Sequence, residues 1–339
     1  MIIHYIHLSE KNTKYLKSPN ENIPLILKIE YKIKSLQMSK VELSLKFEGH
    51  EKPVTNLKYS KDYRYLISSS EDTTIRIWSL KNGKEVSKFE GHLGSVNSIA
   101  SNSSDTKLIS GGSDYSICWW DIQRGSLIKK IRPHSADVNS VCFNDDASIA
   151  ISGSVDTTAK IWDCRSNGSM PVQILAEAKD SITCVKTGRY EIFTTSVDGK
   201  IRIYDIRKGC LTIDKVAESL IDVELSKDTQ TMLLTTLDSK IILAVKNDGD
   251  VLQTYTGYSC QKYMIKPRFA ANEGAVVSGS DSGEVFMWDA IEGNVQDRFS
   301  FGNGPILDVE VQNPFTSIAV GSTNGDIGIF QKAQSASKS

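Results

Sequence analysis

The stretch Ser152 to Asp163, SGSVDTTAKIWD, decides the fold of this 339-residue chain. Small and β-branched residues on both sides of Asp156 predict two strands, and the polar cluster at Asp156 predicts a tight turn between them. The second strand ends at Trp162-Asp163, and His134 stands 28 residues before Trp162. The stretch therefore predicts a strand, a turn and a second strand closed by Trp-Asp.

The same pattern recurs along the chain at a fixed period. SSSEDTTIRIW ends at Trp78 and SGGSDYSICWW ends at Trp120, each with a histidine 28 residues upstream. TTSVDGKIRIY ends at Tyr204, so that the four closing residues are each 42 positions apart. A period near 40, with Gly-His early and Trp-Asp late, resembles the WD40 repeat, whose unit is a four-stranded propeller blade.

The repeat predicts an all-β fold, a seven-bladed WD40 β-propeller. Ala244-Val245 replaces Trp-Asp in the fifth unit, and Trp288-Asp289 restores it in the sixth. Phe330 stands at the Trp position of the last unit, 252 residues or six periods after Trp78. The alternating segment 41–47, VELSLKF, precedes the first Gly-His, where no earlier blade exists to use it. We therefore predict that this N-terminal strand completes the last blade and closes the ring.

Three segments are expected in the chain. Residues 38–331 form the propeller, and residues 332–339 form a disordered tail. Residues 1–37 carry a basic excess without sustained periodicity, which is typical of a flexible arm. The arm either binds something acidic or is dispensable, an upstream extension with Met38 as the natural start.

Composition narrows the class of protein. The net charge is −1, and because residues 1–40 contribute +4, the remainder carries −5, which argues against a nucleic-acid-binding surface. Six cysteines without a CxxC pair, mostly inside apolar strand patterns, predict buried reduced thiols rather than disulfides or a metal site. The chain has no apolar run near the ~20 residues of a membrane span and no secretory leader. A soluble intracellular protein is expected.

The WD40 resemblance implies a hydrogen-bonded chain in each intact blade, in which the turn Asp orients the His, the His reaches a strand Ser, and the Ser reaches the Trp indole. Buried polar groups need such partners, and losing one costs ~1–3 kcal/mol. The implied residues are His50, Ser68, Asp72 and Trp78; His92, Ser110, Asp114 and Trp120; and His134, Ser152, Asp156 and Trp162.

The histidines argue against an enzyme. Three of the five belong to the repeats, and the other two, His4 and His7, lie in the arm. None is left for a catalytic triad or a metal site. The chain has no phosphate-binding GxxxxGK[ST] and no GxGxxG that opens a helix. We expect no catalytic residue, no metal and no cofactor.

A binding face is expected where the inner strands begin and the Asp turns meet. WD40 propellers commonly contact partners three and five positions after the blade His and just before the turn Asp. An acidic set with one aromatic suits a partner segment carrying Lys or Arg, although ordinary solvated loop residues are an equal interpretation. The resemblance places Glu71, Asn97, Asp137, Asn139, Asp222, Tyr263 and Asp281 there.

Several stretches outside the repeat consensus resemble the mitogen-activated protein kinase organizer family, also called the WD repeat-containing protein 83 family. They are 162–166 (WDCRS) with 171–173 (PVQ), 177–180 (EAKD), 196–200 (SVDGK) with 204–207 (YDIR), 237–239 (LDS), 255–257 (YTG) and 261–263 (QKY). The resemblance implies a non-catalytic scaffold, cytoplasmic and nuclear, for spliceosomal proteins or MAP kinase cascade components. The arm 1–37 has no counterpart there.

Protein partners are therefore expected, with no direct DNA binding, RNA contacted only through complexes, no membrane, and a monomeric state. The alternative is a reader of a basic or modified peptide, such as a histone tail, in the central channel. Fold alone does not separate the two functions.

Overall fold

The computed structural model describes residues 41–166, 168–312 and 316–332, and within them 28 strands form seven four-stranded antiparallel sheets. The prediction of an all-β, seven-bladed propeller is confirmed. The arm 1–37 and residues 333–339 of the predicted tail lie outside the described residues. No helix in the described ranges is long and apolar enough to cross a membrane.

Blades 1 to 6 each contain four consecutive strands from the channel outward, and blade 7 contains the last three described strands of the chain followed by the first. Blade 1 contains β2 (Val54–Tyr59), β3 (Tyr65–Ser70), β4 (Thr74–Ser79) and β5 (Lys84–Glu90); blade 2 contains β6 (Val96–Ser101), β7 (Lys107–Gly112), β8 (Ile117–Asp121) and β9 (Ser126–Ile131); blade 3 contains β10 (Val138–Phe143), β11 (Ile149–Ser154), β12 (Ala159–Asp163) and β13 (Gln173–Leu175). Blade 4 contains β14 (Ile182–Thr187), β15 (Glu191–Ser196), β16 (Lys200–Asp205) and β17 (Cys210–Lys215); blade 5 contains β18 (Leu220–Leu225), β19 (Thr231–Thr236), β20 (Lys240–Val245) and β21 (Val251–Tyr255). Blade 6 contains β22 (Arg268–Ala270), β23 (Ala275–Ser278), β24 (Glu284–Asp289) and β25 (Val295–Ser300); blade 7 contains β26 (Ile306–Val311), β27 (Ser317–Ser322), β28 (Ile327–Lys332) and β1 (Val41–Phe47).

Blade 7 is assembled from both ends of the described chain. β1 pairs antiparallel with β28, from Val41 opposite Lys332 to Phe47 opposite Ile327. Phe47 is almost fully buried and packs at 5.3 Å against the ring of Trp78 in blade 1. The prediction that 41–47 closes the ring is confirmed, and the pairing covers the edge of β28 that would otherwise be open.

The hydrophobic core lies between adjacent blades. Phe89 of blade 1 meets Trp120 of blade 2 edge to face at 5.6 Å, and Trp119 meets Trp162 of blade 3 at 6.3 Å. Each large aromatic thus fills the space between two sheets rather than the interior of one sheet. Such pairs add to the stabilisation from area burial alone.

The turn between the second and third strands has one conformation in all seven blades. The residue after the turn Asp position has a positive φ each time, for example 70° at Thr157. The equivalent residues are Thr73, Tyr115, Thr157, Gly199, Ser239, Gly283 and Gly325. Four of these are not glycine, so the left-handed backbone there is unfavourable and needs support from the surrounding contacts.

The cysteines form no disulfide. Cys118, Cys142, Cys184 and Cys260 are buried, whereas Cys164 is half-buried and Cys210 is exposed. The expectation of buried reduced thiols therefore does not extend to Cys210. This residue begins the outer strand β17, where only one side of the strand is paired.

Candidate functional site

The intact blades fix their turn loops through one buried hydrogen-bonded chain. In blade 3, His134 Nδ1 lies 2.8 Å from Asp156 Oδ2, and His134 Nε2 lies 2.8 Å from Ser152 Oγ. The Trp162 indole N–H donates to the same hydroxyl at 3.0 Å. The same contacts join His50, Ser68, Asp72 and Trp78 in blade 1, and His92, Ser110, Asp114 and Trp120 in blade 2.

The turn Asp also supports the left-handed residue that follows it. Asp156 Oδ1 accepts hydrogen bonds from the backbone N–H and the hydroxyl of Thr158, and Oδ2 accepts one from Ser135 N–H. Burial alone raises the pKa of Asp156, but its bonds from Thr158 and its contacts with His134 lower the pKa to about 2. The carboxylate is therefore charged at neutral pH and holds two loops in place.

We expect Asp156→Ala to lower the free energy of unfolding by about 1–3 kcal/mol, because His134 and the turn N–H groups lose their acceptor. The loss should be full above the ordinary Asp pKa of 3.8 and should shrink as pH falls toward 2, where the wild-type carboxylate is itself protonated. Urea unfolding at several pH values measures this. Asp145→Ala, at an exposed loop position, is the matched control and should change stability little. Equal unfolding of Asp156→Ala, Asp114→Ala and wild type would contradict the prediction.

Blade 4 rebuilds this support with different residues. Ala176 stands at the position of the blade His, and the fully buried Arg202 forms an ion pair with Asp198. The hydroxyl of Tyr204, at the Trp position, donates to Glu177 at 2.8 Å. The sequence predicted the lost His but not this replacement, in which Arg202 takes the place of the imidazole as the partner of the turn Asp.

Four of the seven residues predicted for a binding face lie in loops on the side of the Asp turns, called here the turn face. Glu71, Asp137, Tyr263 and Asp281 are all partly exposed there. Burial raises the pKa of Asp137. Asp281 Oδ2 accepts hydrogen bonds from the N–H groups of Gln261 and Lys262 at 2.7 and 3.0 Å, so Asp281 orders the loop before β22.

Asn97 and Asn139, which are also predicted for the binding face, each contact the neighbouring blade. Asn97 donates its amide to Val138 O at 3.1 Å, and Asn139 donates to Ile182 O at 2.8 Å. Each therefore links its own blade to the start of the next inner strand. The cause is a β-bulge, which places one extra residue at this position of each inner strand and turns its side chain toward the neighbour.

Asp222 does not lie with the turn-face loops. The bulge in β18 pairs Leu220 with Thr236 and Asp222 with Thr235, so Asp222 follows the bulge and Ile221 occupies it. Asp222 is 1% exposed and lines a cavity in the channel. The sequence alignment of this degenerate blade was therefore wrong by one residue. In a strand, a shift of one residue moves a side chain to the other face of the sheet.

The sequence analysis missed a set of charged residues on the inner strands, called here the charge belt. Around the channel through blades 1, 7, 6, 5 and 4, the belt consists of Lys58, Glu310, Arg268, Glu224 and Lys186. At the equivalent register positions of blades 2 and 3 stand Ala100 and Cys142. The 42-residue period offers a signal for the charge belt, because positions 58, 100, 142, 268 and 310 are separated by whole multiples of 42 residues.

Neighbouring members of the charge belt have opposite charges and are in contact. Lys58 Nζ lies 2.9 Å from Glu310, and Arg268 Nε lies 3.1 Å from the same carboxylate. On the other side, Arg268 Nη1 lies 3.9 Å from Glu224, which Lys186 Nζ approaches to 2.7 Å. Arg268 thus bridges two blades at once, and the signs alternate without interruption from Lys58 to Lys186.

Two further buried carboxylates, each two residues earlier on the inner strands of blades 7 and 5, also lie close to Arg268. Its Nη2 lies 3.3 Å from Asp308, which is fully buried, and its Nη1 lies 3.7 Å from Asp222. Burial lowers the pKa of Arg268, but Asp308, Glu224 and Glu310 raise it well above its ordinary value. Asp222 Oδ2 has no hydrogen-bond partner among the described residues, and burial raises the pKa of this carboxyl.

The charge belt and its two uncharged positions line one cavity of about 540 Å³. The cavity also includes residues of the loops after β2 and β6, such as Lys61 and Asn102, so it opens on the side away from the Asp turns, called here the opposite face. The geometry therefore provides two places for partners: the loops of the turn face and this charged opening.

The model of the WD40 family, described as WD domain, G-beta repeat, matches residues 41–79, 83–121, 125–163 and 169–205. The chain is 33% identical over 168 residues to an uncharacterized WD repeat-containing protein of Schizosaccharomyces pombe, covering 49% of this chain and 57% of that protein. It is 40% identical to WD repeat domain-containing protein 83 of Rattus norvegicus over 131 residues, which cover 39% and 42% of the two chains. The protein of the same name from Homo sapiens is 35% identical over 136 residues, 40% and 43%. The chain thus spans about half the length of the curated relatives it matches.

Proposed function

We propose that this chain, a WD40-repeat protein, is a non-catalytic scaffold that holds components of multiprotein complexes together. The observation that carries the proposal is the linkage of one blade to the next at the channel. Thr183 donates to Leu220 O at 3.0 Å in the same way as Asn97 and Asn139 do for their neighbours. A frame linked in this way presents loops on two faces at fixed separations, which suits simultaneous binding of several proteins.

The reactive groups of the described residues support a non-catalytic role. The blade histidines are held between a carboxylate and a hydroxyl, and burial lowers the pKa of His134. Burial raises the pKa of Cys118 and of Cys142 to about 12, so both thiols stay protonated at neutral pH. A thiol in that state is a poor nucleophile.

For the complexes themselves, we propose spliceosomal proteins in the nucleus and MAP kinase cascade components in the cytoplasm. The support is the resemblance of the stretches between residues 162 and 263 to the mitogen-activated protein kinase organizer family. Spliceosomal association is preferred because it requires no particular signalling cascade. RNA is then contacted only through the complex, which agrees with the acidic remainder of the chain.

Affinity purification at native expression level tests this proposal. The chain 1–339 and a shorter chain 38–339, both tagged at the C-terminus, are recovered from nuclear and cytoplasmic extracts and their partners are identified by mass spectrometry. Enrichment of splicing proteins supports the preferred proposal, and enrichment of kinases alone supports the second. Partners recovered only by the longer chain would assign a binding role to residues 1–37, and absence of both classes contradicts the proposed complexes.

A second candidate, a reader of a basic or modified peptide in the channel, is favoured by Asp222. Asp222 Oδ2 lies 3.7 Å from Arg268 Nη1 and accepts no hydrogen bond from the described residues, so it retains the capacity to accept one from a Lys or Arg side chain. If the chain is such a reader, titration with Arg- and Lys-containing peptides gives micromolar binding that Asp222→Asn and Asp137→Asn abolish. Unchanged binding in both variants contradicts this function.

A further inference from the structure

We propose that the opening on the opposite face binds an acidic side chain from a segment of a partner protein, seated over Ala100 and Cys142 between Lys58 and Lys186. The proposal rests on the scaffold function and names one of its docking sites. The belt follows the order plus, minus, plus, minus, plus from Lys58 to Lys186 through blades 7, 6 and 5. One negative charge in blades 2 and 3 completes the alternation.

The two ends of the charge belt are both cations with unused capacity. In the part of the chain that the structure describes, Lys58 pairs with one carboxylate, that of Glu310 in blade 7, and its side chain is 46% exposed. Within the described ranges, Lys186 likewise pairs with one carboxylate, that of Glu224 in blade 5, and its side chain is 30% exposed. Burial opposes the charge of Lys186, but Glu224 raises its pKa, so the ammonium stays charged at neutral pH. Each ammonium has three N–H donors, so both can donate hydrogen bonds to a further carboxylate.

The space between these two ends is uncharged and of the right size. Ala100 and Cys142 carry the smallest side chains at this register position, and the Cys142 thiol is protonated at neutral pH because burial raises its pKa to about 12. The cavity of about 540 Å³ is ample for a short acidic loop. Desolvation in such a cavity strengthens an ion pair relative to one at the surface.

The other charged groups of the cavity favour an anion over a cation. Lys61 lines the mouth and is exposed, and Lys266 and Arg268 line the wall. Asp105 at the mouth already accepts hydrogen bonds from Lys61 N–H and the Ser101 hydroxyl. Asp222 lies on the far wall beside Arg268, with a pKa that burial raises. The remaining carboxylates, Glu224 and Glu310, are both paired within the belt.

The first experiment supplies the missing charge from the protein itself. Ala100→Glu is expected to raise the melting temperature by about 2 °C relative to the matched, uncharged Ala100→Gln, because the new carboxylate stands next to Lys58 in the charge belt and continues its alternation of charge. Calorimetry at low salt measures the difference in melting temperature between Ala100→Glu and Ala100→Gln, and high salt should reduce this difference. A lower melting temperature for Ala100→Glu than for Ala100→Gln overturns the proposed charge preference.

The second experiment measures binding to the full wild-type chain, so it remains decisive even when a variant fails to fold. The probes are three ten-residue peptides, in which Gly alternates with Glu, Gln or Lys. Each peptide carries a fluorescent label without net charge, and its binding is measured by fluorescence anisotropy. The Glu peptide should bind at least tenfold tighter than the Gln and Lys peptides. Lys58→Gln combined with Lys186→Gln should weaken it tenfold, whereas Lys88→Gln, on the outer strand β5, should not.

Ala100→Glu should also weaken the Glu peptide tenfold, because its own carboxylate occupies the site. Binding of the Glu peptide that is unaffected by Ala100→Glu and by the double lysine variant overturns the site, as does preference for the Lys peptide. Inorganic phosphate should displace the peptide no better than chloride at equal ionic strength, and selective displacement by phosphate overturns the choice of a carboxylate. A chain that binds the Glu peptide but recovers neither splicing proteins nor kinases upholds the site and contradicts only the proposed complexes.

Discussion

Arg268→Met is expected to lower the free energy of unfolding by about 3–5 kcal/mol, the typical loss when one partner of a buried ion cluster is removed. Arg268 is 8% exposed, and the four carboxylates around it come from blades 5 and 7. Methionine fills a similar volume but leaves Asp308 fully buried with one cation fewer. Urea unfolding followed by tryptophan fluorescence measures the loss.

Two further variants separate the charge from the general cost of mutation. Arg64→Met breaks an ion pair with Asp62 in which the Arg side chain is 75% exposed, so its effect should stay below about 1 kcal/mol. Adding Asp308→Asn to Arg268→Met should restore part of the lost stability, because one uncompensated charge is removed. Unfolding of Arg268→Met at the wild-type urea concentration would show that the cluster contributes no net stability.

A chain that begins at Glu48 and lacks β1 is expected to lose about 3–6 kcal/mol, the contribution of fully burying the side chains of Val41 and Phe47. The loss also exposes the edge of β28, whose backbone groups pair with β1. Thermal melting of the purified chain and its tendency to aggregate are the measurements, since a free strand edge recruits other chains.

The matched control is a chain that begins at Met38 and retains β1. Its melting temperature should equal that of the full chain 1–339, as expected when the arm is dispensable. A synthetic peptide of residues 38–48 added in excess should raise the melting temperature of the chain that lacks β1. Equal melting of the chains starting at Glu48 and Met38 would contradict a stabilising role for the closing strand.

The repeat could be predicted because its interactions lie within one 42-residue unit. His134, Ser152 and Asp156 are joined by contacts that span at most 22 residues, so the same types recur at the same spacing in each intact blade. The strand alternation in VELSLKF was enough to predict the ring closure, because the repeat lacked a seventh outer strand and only this segment could supply it. The degenerate blade 5, which lacks these markers, was misaligned at Asp222.

By itself the sequence determined the number of blades, the closing strand and the hydrogen-bonded chain of each intact blade, since all of these follow from local spacing and from alternation. Only the tertiary structure decided which side chains meet at the channel. Asn56 and Asp308 are 252 residues apart in the chain, yet they lie 2.6 Å apart, because the ring brings the first and last blades together. The charge belt and its gap at Ala100 and Cys142 arise from seven strands facing one axis, a relation that no single repeat contains.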